Sequence, residues 1–343
     1  MSSAARMYLV TRVHGLRTHL IAPSDVRILA KAKTLRDVSD NLLKTSYATE
    51  ISKLPTEELD AAALEEIFLG ILVERFFFVP RAATGNMQEL LNRYCARFEV
   101  ENIKRAIRAK HGGQPEEEPK LIPLPREHTL VNFGALLKAN SVDEVVALLR
   151  ETPYGSLSEE LQPYRETDAT TVLEAALDGI YFGKVWKMVG KVSGHGLRDL
   201  IGEEMDLRNL LIAFSLKARE IGASIVEDTL IPLSYRLPEA TLRSLIQSRL
   251  EDAPGILSGR YSKLASEAVG LLKSGSSSSL ERPFFKQLYD DASLALRTYS
   301  LDAGYVVAYL LLCECEAKNL VSIAIGKQLN LSEEEIAQGL LGI

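Results

Sequence analysis

Apolar positions along this chain recur at three- and four-residue spacing, and no segment sustains the alternation of a half-buried strand. The pattern predicts an all-α fold. Helices are expected over 4–20, from Ser24 and Asp25, from Thr34, over Glu57 to about Val79 and over Asn86 to about His111. Further on they are expected from Asp168 to about Met188, Leu197 to about Ile221, Pro238 to Leu250, Phe284 to Tyr299 and Asp302 to about Gln328. Thr34 with Asp37, Ser141 with Glu144, and Ser332 with Glu335 have capping-box spacing, and Asp168 is expected to cap the helix that follows it.

One apolar stripe occurs three times. EVENIKRAIRAK (Glu99 to Lys110) returns as DLRNLLIAFSLK (Asp206 to Lys217) and as EAKNLVSIAIGK (Glu316 to Lys327). Each copy has an acid three residues before an asparagine (Glu99/Asn102, Asp206/Asn209, Glu316/Asn319) and a lysine eight residues after it (Lys110, Lys217, Lys327). At about 100° per residue the acid, the +4 and +8 apolar residues and the +11 lysine lie within roughly 80° of one another. The apolar members are Ile103 and Ile107, Leu210 and Phe214, Leu320 and Ala324. LIPL at Leu121 to Leu124 recurs at Leu230 to Leu233. Upstream, Thr34, Asp37, Leu42, Leu43, Thr45 and Tyr47 match Ser141, Glu144, Leu149, Arg150, Thr152 and Tyr154 at a constant shift, the same shift that separates Asn102 from Asn209. In the third copy only APG, Ala253 to Gly255, loosely answers to TSY. Repeats this long are small helical domains rather than solenoid units. The boundaries are expected at 1–120, 121–229 and 230–343, the first at the connector QPEEEPK and each later copy opening on LIPL.

The stripe has two readings. An early acid and a late lysine complement a helix dipole and can pack against other repeats, which makes Glu99, Asn102, Asp206, Asn209, Glu316 and Asn319 structural. Acid and lysine of one helix are ~16 Å apart and cannot pair with each other. The other reading is direct contact with a partner, for which Lys110, Lys217 and Lys327 are the candidates, as a positive ring if the three ends converge.

Composition narrows the function classes. Apolar residues make 46% of the chain and charged residues 25%, a globular balance. Net charge is −6, unevenly spread: residues 1–111 carry 17 basic against 13 acidic residues and 112–230 carry 12 against 20. That distribution argues against a nucleic-acid binder. Cys95, Cys313 and Cys315 build neither a disulfide framework nor a zinc site, and the five histidines form no i, i+4 pair. There is no Gly-x-x-x-x-Gly-Lys-Ser/Thr and no Gly-x-Ser-x-Gly. The chain is therefore read as having no active site, cofactor or metal of its own. The first twenty residues lack the core of a signal peptide, and the longest apolar runs fall short of the ~20 residues of a spanning helix, so no membrane insertion is expected.

YCARFEVENIKRAIRAKHG, Tyr94 to Gly112, resembles the signature of the C-type stalk proteins of archaeal and bacterial A/V-type ATP synthases, whose eukaryotic relative is the d-type protein of the V-type ATPase. LKTSY (Leu43 to Tyr47) and YLVTRVHGLR (Tyr8 to Arg17) are similar to that family as well, and the likeness covers the whole chain. The resemblance implies a funnel of three similar helical domains around a pseudo-threefold axis, placed in the central stalk at the cytoplasmic face of the membrane. It implies a coupling part that passes torque between shaft proteins of D and F type and the membrane proteolipid ring. The competing reading from the repeats alone is a helical scaffold that binds a single protein partner.

Overall fold

A computed structural model describes residues 3–113, 119–276 and 279–342, and among them there are helices, turns and no strand. The all-α expectation holds. No described helix is long and apolar enough to cross a membrane.

The chain separates into two compact units, each discontinuous in sequence. The first contains residues 1–92, 192–200 and 285–343. Its centre is the third signature helix, Ala303–Gln328, whose residues are buried along most of its length. Its most extensive packing is against Ala61–Phe78, with Ser3–Arg17 also laid along it. Leu320, Ile323 and Ala324 share one core with Val38, Leu42, Tyr47, Leu64 and Phe68, so a late segment of the chain is the floor for an early one. Gly304 lets this helix meet the backbone at Gly196 and Leu197. A Cβ at Gly304 would stand 2.4 Å from the Gly196 carbonyl carbon, which no rotamer change relieves.

The second unit contains residues 93–191 and 201–284. The first signature helix, Arg97–His111, packs on Thr170–Val189 and on the short helices Phe133–Lys138 and Val142–Leu148. The second signature sits in His195–Ala218, where Leu210, Ala213 and Phe214 are buried. Three buried carboxylates in this unit meet cations. Lys104 bonds Asp178 at 2.6 Å, Arg97 bonds Glu204 at 2.6 Å, and Arg236 bonds Glu203 at 2.7 Å.

Local details follow the sequence in part. The capping boxes at Thr34/Asp37 and Ser332/Glu335 are formed on both sides. At Ser141 the hydroxyl accepts from the Glu144 amide, while the Glu144 carboxylate bonds Asn140 instead. Asp168 does not cap the next helix. It ends Leu161–Thr167 in a left-handed conformation (φ 50°), which Asp tolerates better than most residues, and Thr170–Val189 begins without a side-chain cap. The expected long helix from Asn86 is two, Gly85–Cys95 and Arg97–His111, and the one expected from Glu57 starts at Ala61, where Asp60 accepts the Ala63 amide.

Gly304→Ala should cost about 1–3 kcal/mol or more, because the clash is with backbone. Gly70→Ala, in a helix with nothing within 4 Å of the new methyl, should instead gain about 0.5–1 kcal/mol. Denaturant midpoints of the two variants moving the same way would contradict this packing.

Candidate functional site at the repeat junctions

The acids of the three stripes are buried, and each holds the start of another repeat. Glu99 Oε1 accepts the backbone N–H of Leu130 at 2.6 Å and of Val131 at 3.2 Å, just ahead of the helix Phe133–Lys138. Asp206 accepts from the amides of Tyr235 (2.8 Å), Arg236 (2.7 Å) and Leu237 (3.1 Å), just ahead of Glu239–Gln247. Glu316 Oε2 accepts from the Ile21 amide, ahead of Pro23–Lys31. In all three cases the acceptor takes amides of the non-helical segment just ahead of the helix's N-cap, on the side of the helix where negative charge is favoured.

A tyrosine hydroxyl completes each carboxylate. Tyr154 donates to Glu99 at 2.8 Å and Tyr47 to Glu316 at 2.8 Å. The Tyr261 hydroxyl lies 2.6 Å from Glu203 Oε2 and 3.2 Å from Asp206 Oδ2. Each ring carries a cation: Arg75 over Tyr47 (5.2 Å to the centroid), Lys184 over Tyr154 (5.1 Å) and Arg260 over Tyr261 (5.3 Å). Arg75 also bonds Glu316 directly at 2.6 Å. The third tyrosine is Tyr261, so the match of Ala253 to Gly255 to TSY is wrong. The shift that relates Tyr47 to Tyr154 also relates Tyr154 to Tyr261, and continuing it would have found the residue.

Two of the lysines hold the other end of the bracketed helix. Lys110 Nζ donates to the Leu137 carbonyl at 2.7 Å, in the last turn of Phe133–Lys138. Lys217 Nζ donates to Ile246 O at 2.8 Å and to Ser248 O, at the end of Glu239–Gln247. Acid and lysine are ~16 Å apart along their own helix, enough to straddle a neighbour of six to nine residues. The dipole they complement is the neighbour's as well as their own. The ammonium of the half-buried Lys327 makes no hydrogen bond or ion pair among the described residues.

The asparagines clamp the segment that follows. Asn102 Nδ2 donates to Ile122 O at 2.9 Å while its Oδ1 accepts from Ile122 N at 2.7 Å. Asn209 repeats this with Ile231 at 3.2 and 2.9 Å, and Asn319 with Leu341 at 3.0 and 2.8 Å. Ile122 and Ile231 are the same position of LIPL, so the tail LLG at Leu340 to Gly342 is the third copy of that motif. Sequence comparison missed it because Gly342 stands where Pro123 and Pro232 do.

Burial pushes the Cys95 and Cys313 thiols up to about 12, so both are neutral and unreactive. Among the described residues no three metal-ligating side chains gather. What the geometry does is hold repeats in a fixed order.

The family model for the ATP synthase (C/AC39) subunit matches residues 9–339. The chain belongs to that family. Among its relatives is the A-type ATP synthase C subunit of Methanothermobacter thermautotrophicus, 28% identical over 314 residues, covering 88% of this chain and 80% of the relative. The A-type ATP synthase C subunit of Methanocaldococcus jannaschii is 25% identical over 98% of this chain and 86% of its own length. That of Haloquadratum walsbyi is 28% identical over 96% of each.

Asn209→Leu, and the same change at Asn102 or Asn319, should destabilise the fold by about 1–3 kcal/mol, since it strands a buried N–H and C=O of the following segment. Unmoved denaturant midpoints would contradict the clamp.

A second expectation concerns alkaline pH. Burial first, and then the neighbouring carboxylates, raise the phenols of Tyr47, Tyr154 and Tyr261 above their ordinary value. A tyrosine with a raised folded pKa contributes stability that is whole below the unfolded value of about 10 and is lost as pH rises beyond it. Tyrosinate absorbance from these residues should therefore appear together with unfolding above about pH 10. Tyr154→Phe should flatten that dependence. Titration of all twelve tyrosines near the ordinary value with the fold intact would contradict it.

Proposed function

We propose that this chain is the non-catalytic central-stalk component of an A/V-type ATP synthase, which joins the rotor shaft to the membrane proteolipid ring. The observation that carries the reading is the set of polar brackets at the junctions, present in a chain of the ATP synthase C/AC39 family. A part that transmits torque must resist shear between its own pieces. Hydrogen-bonded carboxylates and clamped amides are directional and resist sliding more than a uniform apolar seam does.

In this reading the three repeats, 1–120, 121–229 and 230–343, are three similar domains around a pseudo-threefold axis. Shaft proteins of D and F type and the ring are the partners, at the cytoplasmic face. Of the three signature lysines proposed to meet a partner, Lys327 is the one whose amine is bonded to no carbonyl among the described residues. Contact with the shaft or ring therefore falls first to Lys327.

Pull-down of the tagged chain from native membranes should recover catalytic, shaft and proteolipid subunits, while the purified chain hydrolyses no ATP. Recovery without ring or catalytic subunits, or turnover that survives further purification, would retire the proposal. Lys327→Glu should weaken shaft or ring binding at low salt with little change in melting temperature, whereas Lys217→Glu should act by unfolding. A Lys327→Glu chain that binds both partners as well as the parent would remove that lysine from the interface.

A further inference from the structure

At two junctions the asparagine-clamped residue and the acid-held residue are the two ends of one connector. Pro123 to Thr129 run from Ile122 to Leu130, and Pro232 to Ser234 run from Ile231 to Tyr235. Leu124, Pro125 and Leu233 in these connectors are half-buried. At the third junction the corresponding anchors are Leu341 and Ile21, which no connector joins. Between them, within the first unit, lies an open groove of about 810 Å³. Glu316 and Asn319 line it, as do Leu341 and Gly342 on one side and Ile21, Ala22 and Pro23 on the other. The groove thus occupies the path that the chain's own Ile-Pro-Leu connectors follow at the other two junctions.

Its walls have the matching chemistry. Leu20, Leu312 and Leu296 supply apolar surface, and Leu294 lies on the lining, 57% exposed. Arg17 and Arg297 line it too and are exposed. Arg297 donates to Ser293 O of its own helix and Arg17 to the Tyr305 hydroxyl at 3.5 Å, and neither makes an ion pair among the described residues. Asp290, exposed, also lines the groove, and Glu316 is already paired with Arg75, so two guanidiniums face one carboxylate beside an apolar trough, a balance that favours an acidic ligand.

We propose that this groove binds an extended segment of a partner protein built like the chain's own connectors. That segment carries an aliphatic-Pro-Leu run seated between Leu341 and Ile21, followed by a carboxylate received by Arg17 and Arg297. The proposal rests on the chain working in a multi-subunit complex but not on which neighbours it joins. Binding by an extended, proline-bearing segment costs little ordering entropy, because such a segment is already restricted when free.

The test uses the full chain and a fluorescent peptide of sequence 121–131, LIPLPREHTLV, carrying Arg126→Glu. Saturable binding is expected, tighter than for the unaltered peptide. Leu312→Glu in the groove, or Arg297→Glu on its wall, should each weaken it at least ~10-fold, equivalent to about 1.4 kcal/mol. Arg297 is exposed, so its variant keeps the test alive should Leu312→Glu fail to fold. Absence of saturable binding up to about 1 mM would overturn the proposal. Binding that both variants leave unchanged would also overturn it. So would sedimentation showing a dimer of this chain that Arg297→Glu dissociates, which would give the groove to a second copy. None of these outcomes bears on pull-down of the shaft and ring, so the two readings fail separately.

Discussion

A buried carboxylate must be surrounded by donors, and this requirement decides where each repeat begins. An unpaired carboxylate inside a protein costs several kcal/mol, and hydrogen bonds to a charged group return about 1.5–3 kcal/mol each. Glu99, Asp206 and Glu316 satisfy the requirement with amides of the segment leading into a helix and with a tyrosine hydroxyl. Shifting the next helix by one turn would withdraw those donors together. The asparagine three residues on holds the trailing segment, and in the first two copies the lysine eight beyond that holds the far end of the helix. Twelve residues of one helix, Glu99 to Lys110 or Asp206 to Lys217, therefore fix three points of the chain around it.

The junctions also balance their charge, each by a different residue. Glu316 has Arg75 in direct contact. Asp206 has Glu203 one turn away, and the pair is matched by Arg236 and Arg260 around it. Burial raises the pKa of Asp206 while the Tyr235 and Arg236 amides oppose it. At Glu99 the balancing cation is Lys184, seated over the Tyr154 ring, its own pKa lowered by burial. The repeated part of the site is thus the geometry around the acid, and the unrepeated part is the source of positive charge.

That division explains what the sequence showed and what it hid. The acid, asparagine and lysine were visible because one helix carries all three at fixed spacing, and helical spacing is legible in one dimension. Their partners were not, because they are mostly backbone groups. Leu130 N, Ile122 O and Leu137 O have no side-chain identity to conserve between copies. Tyr261 escaped for another reason: Gly259 replaces the threonine of Thr45 and Thr152, so the motif lost its outline while its functional atom stayed in register. Arg75 and Arg260 come from unrelated positions, and only the fold brings them to equivalent rings.

Three nearly identical brackets raise a problem of order, since nothing in them tells one repeat's helix which neighbour to take. The residues beside the brackets settle it. Two positions past the asparagine stand Lys104, Leu211 and Val321. Lys104 meets Asp178 of the long helix Thr170–Val189 at 2.6 Å, both buried. The position that answers to Asp178 in the first repeat is Ile71, which shares a core with Leu320 and the neighbouring Val321. Docking the first signature helix on Ala61–Phe78 would set the Lys104 ammonium against Ile71 and leave Asp178 without that partner. Breaking one buried pair costs about 3–5 kcal/mol, a large part of a domain's net stability. The brackets fix how a junction is made, and this one polar pair, set against one apolar pair, fixes which repeats make it.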